Sequence, residues 1–323
     1  MAITTKSKII AAKKETTFNT AETLTDAEVI EVLSKSSIEP KVDTIERDTI
    51  RGSFIKAKSV PVRNLADGTV SVEIVGDTDD LMGDVFYEIG IGKKTANGCL
   101  IGATDITTGG GSDDATLYSL SAPSDATVSA TVKEFVGADK SLTVTGVVVD
   151  EVTINVPTAG IATTDFKLSG CGFTSSNADT KLNSTCVSSV PFIGKSATFQ
   201  VGGVDFCATD VSITISNDVF SQECITTDGF GSKAVTSKDI KGSFTTLFDD
   251  YSLLTALQNN TTGSLFLKLT QGTSEFAVFC PEISYTSFSK GEDNGIITQQ
   301  IEFMVSLACG STTEPIYVAH KAV

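Results

Sequence analysis

The sequence predicts a mainly β protein made of two related units, and three observations carry that expectation. Runs rich in Val, Ile and Thr recur along the whole chain, as pleated and half-buried strands require. Clusters of Gly, Asn, Asp and Ser separate those runs and supply turns. The order of elements in the first half then returns in the second.

Strands are expected at 29–33, 42–50, 69–75, 127–136, 141–149 and 152–156 in the first half. The second half adds 164–169, 197–201, 211–215, 219–225, 240–247, 264–270, 275–279, 282–288 and 296–307. Gly137 and the Gly202-Gly203 pair mark hairpin turns. Two stretches read as helices, 79–89 and 250–258, each opening on acidic residues that suit a helix N-terminus.

The repeat is clearest near the end of each half. Residues 147–172 (VVVDEVTINVPTAGIATTDFKLSGCG) and 278–310 (VFCPEISYTSFSKGEDNGIITQQIEFMVSLACG) both run strand, acid–apolar step, strand, Gly turn, closing strand. This register sets Glu151-Val152 against Glu282-Ile283 and the first helix against the second. Upstream, the Thr44–Asp48 run leads through a loop to a strand and the first helix, and the Cys224–Asp228 run does the same before the second. The match of Arg51-Gly52-Ser53-Phe54 to Lys241-Gly242-Ser243-Phe244 opposes this register and reads as coincidence. The expected units are therefore 1–180, with a polar N-terminal arm and a Gly/Thr-rich insertion at 90–115, and 181–323, with a C-terminal tail. A polar stretch at 174–189 joins them. Residues 2–19 and 312–323 carry too few apolar residues to fold alone, so both ends are expected to be ordered only by neighbouring subunits.

Composition narrows the function. The chain has 323 residues, room for two domains of ordinary size, and 40% of them are hydrophobic, enough for a real core. The net charge is −16, from 24 basic and 40 acidic residues, which repels phosphate backbones and anionic lipid. Such a surface suits a soluble protein or a channel along which DNA slides without sticking. Seven widely spaced cysteines, no CxxC and a single histidine, His320, argue against a zinc site and for free thiols in a reducing compartment. No apolar run reaches the roughly 18 residues of a membrane-spanning helix. The first residues lack the apolar stretch and cleavage site of a signal peptide, so the chain reads as made in the cytoplasm.

Motifs for chemistry do not hold. Residues 90–95 (GIGKKT) resemble a phosphate loop, but Tyr87 stands where its first Gly is needed and Lys94 where Ser or Thr is needed. The acids Asp77, Asp79, Asp80, Asp249 and Asp250 read as helix-start residues rather than a metal loop. With His320 placed in a tail, no Ser–His or Cys–His pair can be built. No cofactor, metal or catalytic residue is expected.

One segment stands apart. Residues 46–63 hold Arg47, Arg51, Lys56, Lys58 and Arg63 against Glu46 and Asp48, five basic minus two acidic, in an acidic chain. It reads either as a solvated basic loop or as a loop that meets an acidic surface on the next subunit, steering assembly. A shorter counterpart at 228–238 offers Asp228, Lys233 and Lys238.

The first third, AAKKETTFNTAETLTDAEVIEVL at 11–33 followed by SIEPKVDTIERDTIRGSF at 37–54, resembles the major tail tube proteins of long-tailed bacteriophages, of the siphovirus-like type. The strand NGIITQQIEFMV at 294–305 is similar to the last strand of that family. The insertion at 90–115 matches no part of its pattern. The resemblance implies a β-sandwich or barrel unit with one short flanking helix, and subunits joined into stacked rings around a lumen. It implies a virion location, passage of genomic DNA without specific binding, and tape measure, tail terminator and tip proteins as partners. A chain with two units would close a six-unit ring as a trimer. The alternative is a β-rich tail-tip, decoration or adhesin-type binding protein; an enzyme ranks behind both.

Overall fold

A computed structural model describes residues 7–49, 55, 57–77, 80–101, 105–108, 115–120, 128–183, 189–224, 230–272, 274–306 and 314–321. In chain order its strands are β1 (Ile9–Lys14), β2 (Val29–Ile30), β3 (Ser37–Arg47), β4 (Ala57–Glu73), β5 (Gly76–Asp77) and β6 (Asp80–Leu81). After helix α1 (Asp84–Ile91) come β7 (Gly92–Ile101), β8 (Asp105–Thr108), β9 (Ala115–Leu120), β10 (Ala130–Val136), β11 (Lys140–Pro157), β12 (Thr163–Gly170) and β13 (Gly172–Ser176). The second half holds β14 (Ala197–Val201), β15 (Val204–Asp205), β16 (Ala208–Glu223) and β17 (Phe230–Leu247). Helix α2 (Ser252–Gln258) precedes β18 (Thr262–Gln271), β19 (Ser274–Asp293), β20 (Ile296–Val305) and β21 (Tyr317–Lys321). The protein is mainly β, as the sequence predicts, and all strands but β5 and β6 join one antiparallel network that does not close into a barrel.

Two long strands organise that network, because each serves two sets of neighbours. The first half of β11 lies between β10 and β13, and its second half lies between β12 and β16. The first half of β19 lies between β18 and β21, and its second half pairs with β20. The sequence suggests two strands in each place. Both β11 and β19 are continuous because no turn interrupts them and their ladders run through the intervening residues with only local bulges. The bend in β11 falls at Gly146, whose φ of +59° disfavours a side chain. Glu15 pins it: its buried carboxylate accepts from Gly146 N at 2.9 Å, Ser129 Oγ at 2.6 Å and Thr131 Oγ1 at 3.0 Å.

Apolar faces from both halves form a continuous core. Val70, Val72, Val152, Ile154 and Phe166 pack with Ile10, Val132 and Val144 in the first half. Ile213, Ile215, Phe244, Ile301 and Phe303 continue it in the second. Helix α1 contributes Phe86 and Tyr87, whose rings lie 5.4 and 5.0 Å from that of Phe166.

Both ends of the chain depart from expectation. Residues 9–14 form β1 against β10, with Ile10, Ala11 and Ala12 buried. Residues 317–321 form β21 between β19 and β9, with His320 buried beside the Phe192 ring. Neither described end waits for a neighbour. A four-residue apolar core between lysines suffices when a strand edge needs a partner, which is why the arm and tail readings fail. Residues 2–6, 312–313 and 322–323 lie outside the described residues. The insertion is no plain loop either: β7 pairs with both β8 and β9, and β9 carries the insertion onto β21.

The helices start later than expected. Gly83, with φ +77°, opens α1, and Asp84 is its first-turn acid. Asp250 does act at a helix start: its carboxylate accepts from Ser252 N at 2.8 Å, which holds its pKa below the usual carboxylate value.

Candidate assembly surfaces

The β3–β4 hairpin extends beyond the core. Its outer residues are exposed on both faces, Val42, Ile45, Val60 and Val62 among them. Arg47 and Lys58 lie exposed on it; Arg51 and Lys56, and Asp228 on the other hairpin, lie outside the described residues. Arg63 pairs with Asp43 at 3.4 Å and with Glu223 of β16. That second ion pair sets the β3–β4 and β16–β17 hairpins side by side at one end of the molecule. The exposed Phe220 adds to the apolar surface there.

The other two residues expected on a stacking loop have intrachain partners. Lys233 is 5% exposed, and its ammonium donates to Ser169 O and Oγ, both at 2.9 Å. Lys238 donates to Gly90 O at 3.0 Å and Ile91 O at 2.6 Å, the last carbonyls of α1. Burial pushes the Lys238 pKa down to about 8, and burial lowers that of Lys233 too. Residues 230–247 are one long strand rather than a loop, so these lysines point inward between the two halves. Polar residues on both faces of the hairpin hid that strand from the sequence reading.

At the far end of the same strands lies a different surface. Leu247, Tyr251, Ile296 and Ile297 are exposed there, among the exposed acids Asp249, Asp250, Glu292 and Asp293. Lys290 is held within this end, with its ammonium 4.3 Å from the centres of the Phe248 and Tyr251 rings.

Between the two ends, the sheet β3–β4–β12–β11–β16–β17–β20–β19 turns one face to the core. The other face carries Thr153, Asn155, Ser212, Thr214, Ser243 and Thr245, with part-buried or exposed charges at Glu151, Asp165, Lys167 and Glu302. On or beside it Lys167 pairs with Glu151 at 3.3 Å and Lys35 with Asp165 at 2.7 Å, while Lys41 is exposed. An open groove of about 500 Å³ crosses this face between Glu39, Asp67, Asp150 and Lys167. Burial raises the Asp150 pKa.

Strand pairing in the two halves can be compared directly. In each, one hairpin (β3–β4, β16–β17) leads to a helix and then to a second hairpin (β10–β11, β18–β19). In each, the next strand pairs with both hairpins: β12 with β11 and β4, β20 with β19 and β17. An early strand edges the second hairpin, β1 on β10 and β14 on β18, and a late strand closes it, β13 on β11 and β21 on β19. Irregularities coincide. The register shifts between Asp43 and Thr44 in one first hairpin and between Asp218 and Val219 in the other. An extra residue bulges at Asp150 against β12 and at Thr286 against β20. Gly68 and Gly242 occupy the same place, where an added Cβ would lie 2.8 Å from Ser37 O or 2.7 Å from Ser212 O. These bulges set Val147, not Glu151-Val152, against Ile283, and Glu151-Val152 against Ser287-Phe288. The register expected from sequence is thus displaced, although the order of elements is kept.

Four described cysteines form no disulfide: Cys171 and Cys280 are buried, Cys224 is half-buried and Cys207 is exposed. Among the described residues no group of His, Cys, Asp and Glu is placed to hold a metal, and no helix is long and apolar enough to cross a membrane. A family model described as phage tail tube protein matches residues 5–305. No curated protein matches the chain.

Proposed function

The chain belongs to the phage tail tube protein family, a structural component of the virion tail that self-assembles into a tube with other tail proteins; from that premise we propose that it is a double-unit, non-catalytic ring subunit. Residues 1–180 and 181–323 are two copies of one tube unit. Three chains then supply six units, giving a trimeric ring with pseudo-six-fold symmetry, made in the host cytoplasm and stacked with its like. The observation that carries this reading is the matched strand order of the two halves, down to the shared bulges and the paired glycines.

In this reading the hydroxyl-rich sheet face lines the lumen. Lys35, Lys167 and Lys241 are held by neighbouring carboxylates, so few cations are free to grip passing DNA. Rings stack end to end, because a contact between two unlike surfaces does not close and therefore propagates. One surface is the hairpin end, which carries the exposed Arg47 and Lys58 and is apolar through Val42, Ile45 and Val60. The other is the far end, acidic through Asp249, Asp250, Glu292 and Asp293 and apolar through Leu247, Ile296 and Ile297. Arg63 serves by tying the two hairpins together. Tape measure, terminator and tip proteins meet the ends of the stack.

Electron microscopy of assembled protein tests the ring: three chains per ring with six similar lobes is the expected image, and six chains per ring overturns the trimer. For stacking, Arg47→Glu with Lys58→Glu is expected to slow tube growth several-fold, more at low salt, since screening acts over about 8 Å at physiological ionic strength. Ile296→Ser with Ile297→Ser is expected to slow growth as well while changing subunit stability by no more than about 0.5 kcal/mol. Wild-type growth rates in both would remove the assignment of these two ends.

A further inference from the structure

We propose that neighbouring chains join through the second half of β19 and the free edge of β3, antiparallel and in one defined register. Ser287 lies opposite Lys41, Phe288 opposite Pro40, Ser289 opposite Glu39, Lys290 opposite Ile38, and Gly291 opposite Ser37. This rests on the ring reading above and adds to it the partner edges and their alignment.

The chain contains a template for this seam. The second half of β11 belongs to the first unit and β16 to the second, and they pair directly, from Glu151 opposite Ser216 to Asn155 opposite Ser212. The same units leave one edge of each kind open. Among the described residues, β3 pairs only with β4, and residues 286–293 of β19 pair only with β20. Glu39, Pro40, Lys41, Ser289, Lys290 and Gly291 are all exposed. Two long open edges in one sheet are templates for further pairing.

Register follows from the bulges. In the second hairpins, Val144 and Val147 stand where Cys280 and Ile283 stand, and the bulged Asp150 where Thr286 stands. In the first hairpins, Ser37 stands where Ser212 stands, and the shift at Asp43/Thr44 where that at Asp218/Val219 does. Replacing each residue of the β11–β16 seam by its counterpart gives the five pairs above. A slip of one residue would turn every side chain to the wrong face.

The chemistry of the edges agrees. The register brings the exposed Pro40 against the half-buried Phe288, with the exposed Val42 beside it. On the polar face the template seam holds Thr153 against Thr214 at 3.3 Å and Ser212 against Asn155 at 2.9 Å. Ser289 with Glu39 and Gly291 with Ser37 take those places between chains. Pro40 has no N–H to donate and belongs on the edge strand of an isolated chain.

Cysteine pairing tests this in assembled rings. Ser289→Cys with Glu39→Cys, and separately Ser287→Cys with Lys41→Cys, put facing residues at a separation a disulfide can span, whereas Ser289→Cys with Lys41→Cys does not. Mild oxidation should give covalent trimers from either matched pair, about tenfold more than from the mismatched pair or any single variant. Unmodified rings provide a second reading: the amides of Glu39, Lys41 and residues 287–291 should gain hydrogen-exchange protection on assembly. Rings in which neither matched pair cross-links, or in which those amides gain no protection, overturn the seam and leave the ring intact. Failure of the unmodified protein to form rings overturns the ring reading itself.

Discussion

The first and second halves of the chain meet along β11 and β16, and among the described residues the corresponding strands β19 and β3 each keep an open edge. Inside the chain, Asn217 donates to Gly90 O at 2.9 Å and Val149 O at 2.8 Å, and Lys238 donates to Gly90 O and Ile91 O. At the open edge the counterparts are Val42 and Asn64, both exposed. A seam made once, during folding, can bury an ammonium group against the carbonyls at the end of α1. A seam made between separate molecules would bear that desolvation in every association event. The difference separates a permanent joint from one suited to assembly.

Glycine substitution offers the largest break in the comparison. Gly242→Ala drives a methyl group against Ser212 O and into the Phe303 ring, between two paired strands. It is expected to cost about 3 kcal/mol in denaturant unfolding. Gly68→Ala meets Ser37 O on a strand whose other edge is open, so β3 can yield and about 1 kcal/mol is expected. Equal losses would mean that the two positions are equally confined.

Lys238 gives a pH signature that Asn64 lacks. Its pKa falls from an ordinary value of 10.5 to about 8 in the folded chain. Between those values the unfolded chain binds more protons, so stability rises with pH across that window. Against Lys238→Met, the wild type should gain about 2–3 kcal/mol between pH 8 and 10.5. A parallel pair of stability curves would show that the ammonium is not desolvated.

The smallest expected contrast is between Asn217 and Val42. Asn217→Val leaves the Gly90 and Val149 carbonyls without that donor and should cost about 1–3 kcal/mol. Val42→Asn, on an exposed strand, should stay within about 0.5 kcal/mol in the subunit. Similar values for both would remove the distinction between the two seams.

Much of the architecture was legible in the sequence because the core strands alternate: the Val, Ile and Phe residues of β11, β12, β16 and β20 mark one face each. The hairpin extensions were harder. Residues 230–239 are largely polar on both sides and read as loop up to Lys238, which is how Lys233 and Lys238 came to be placed on the surface. The true register escaped because bulges at Asp150 and Thr286 leave no mark in composition. His320 looked like a tail residue since the strand around it, Tyr317–Lys321, is only five residues long. The basic hairpin, by contrast, announced itself through charge alone.

The pairing of β9 with β21 sets an order of events during synthesis. Residues 116–119 lie against 317–320, so β9 waits for roughly 200 further residues, on the order of 10–40 s of translation. Until then the first edge of β19 and the outer edge of β9 both lack their partner, and a truncated chain never acquires it. The edges of β9 and β19 are thus satisfied late, by a strand that follows both of them in the chain.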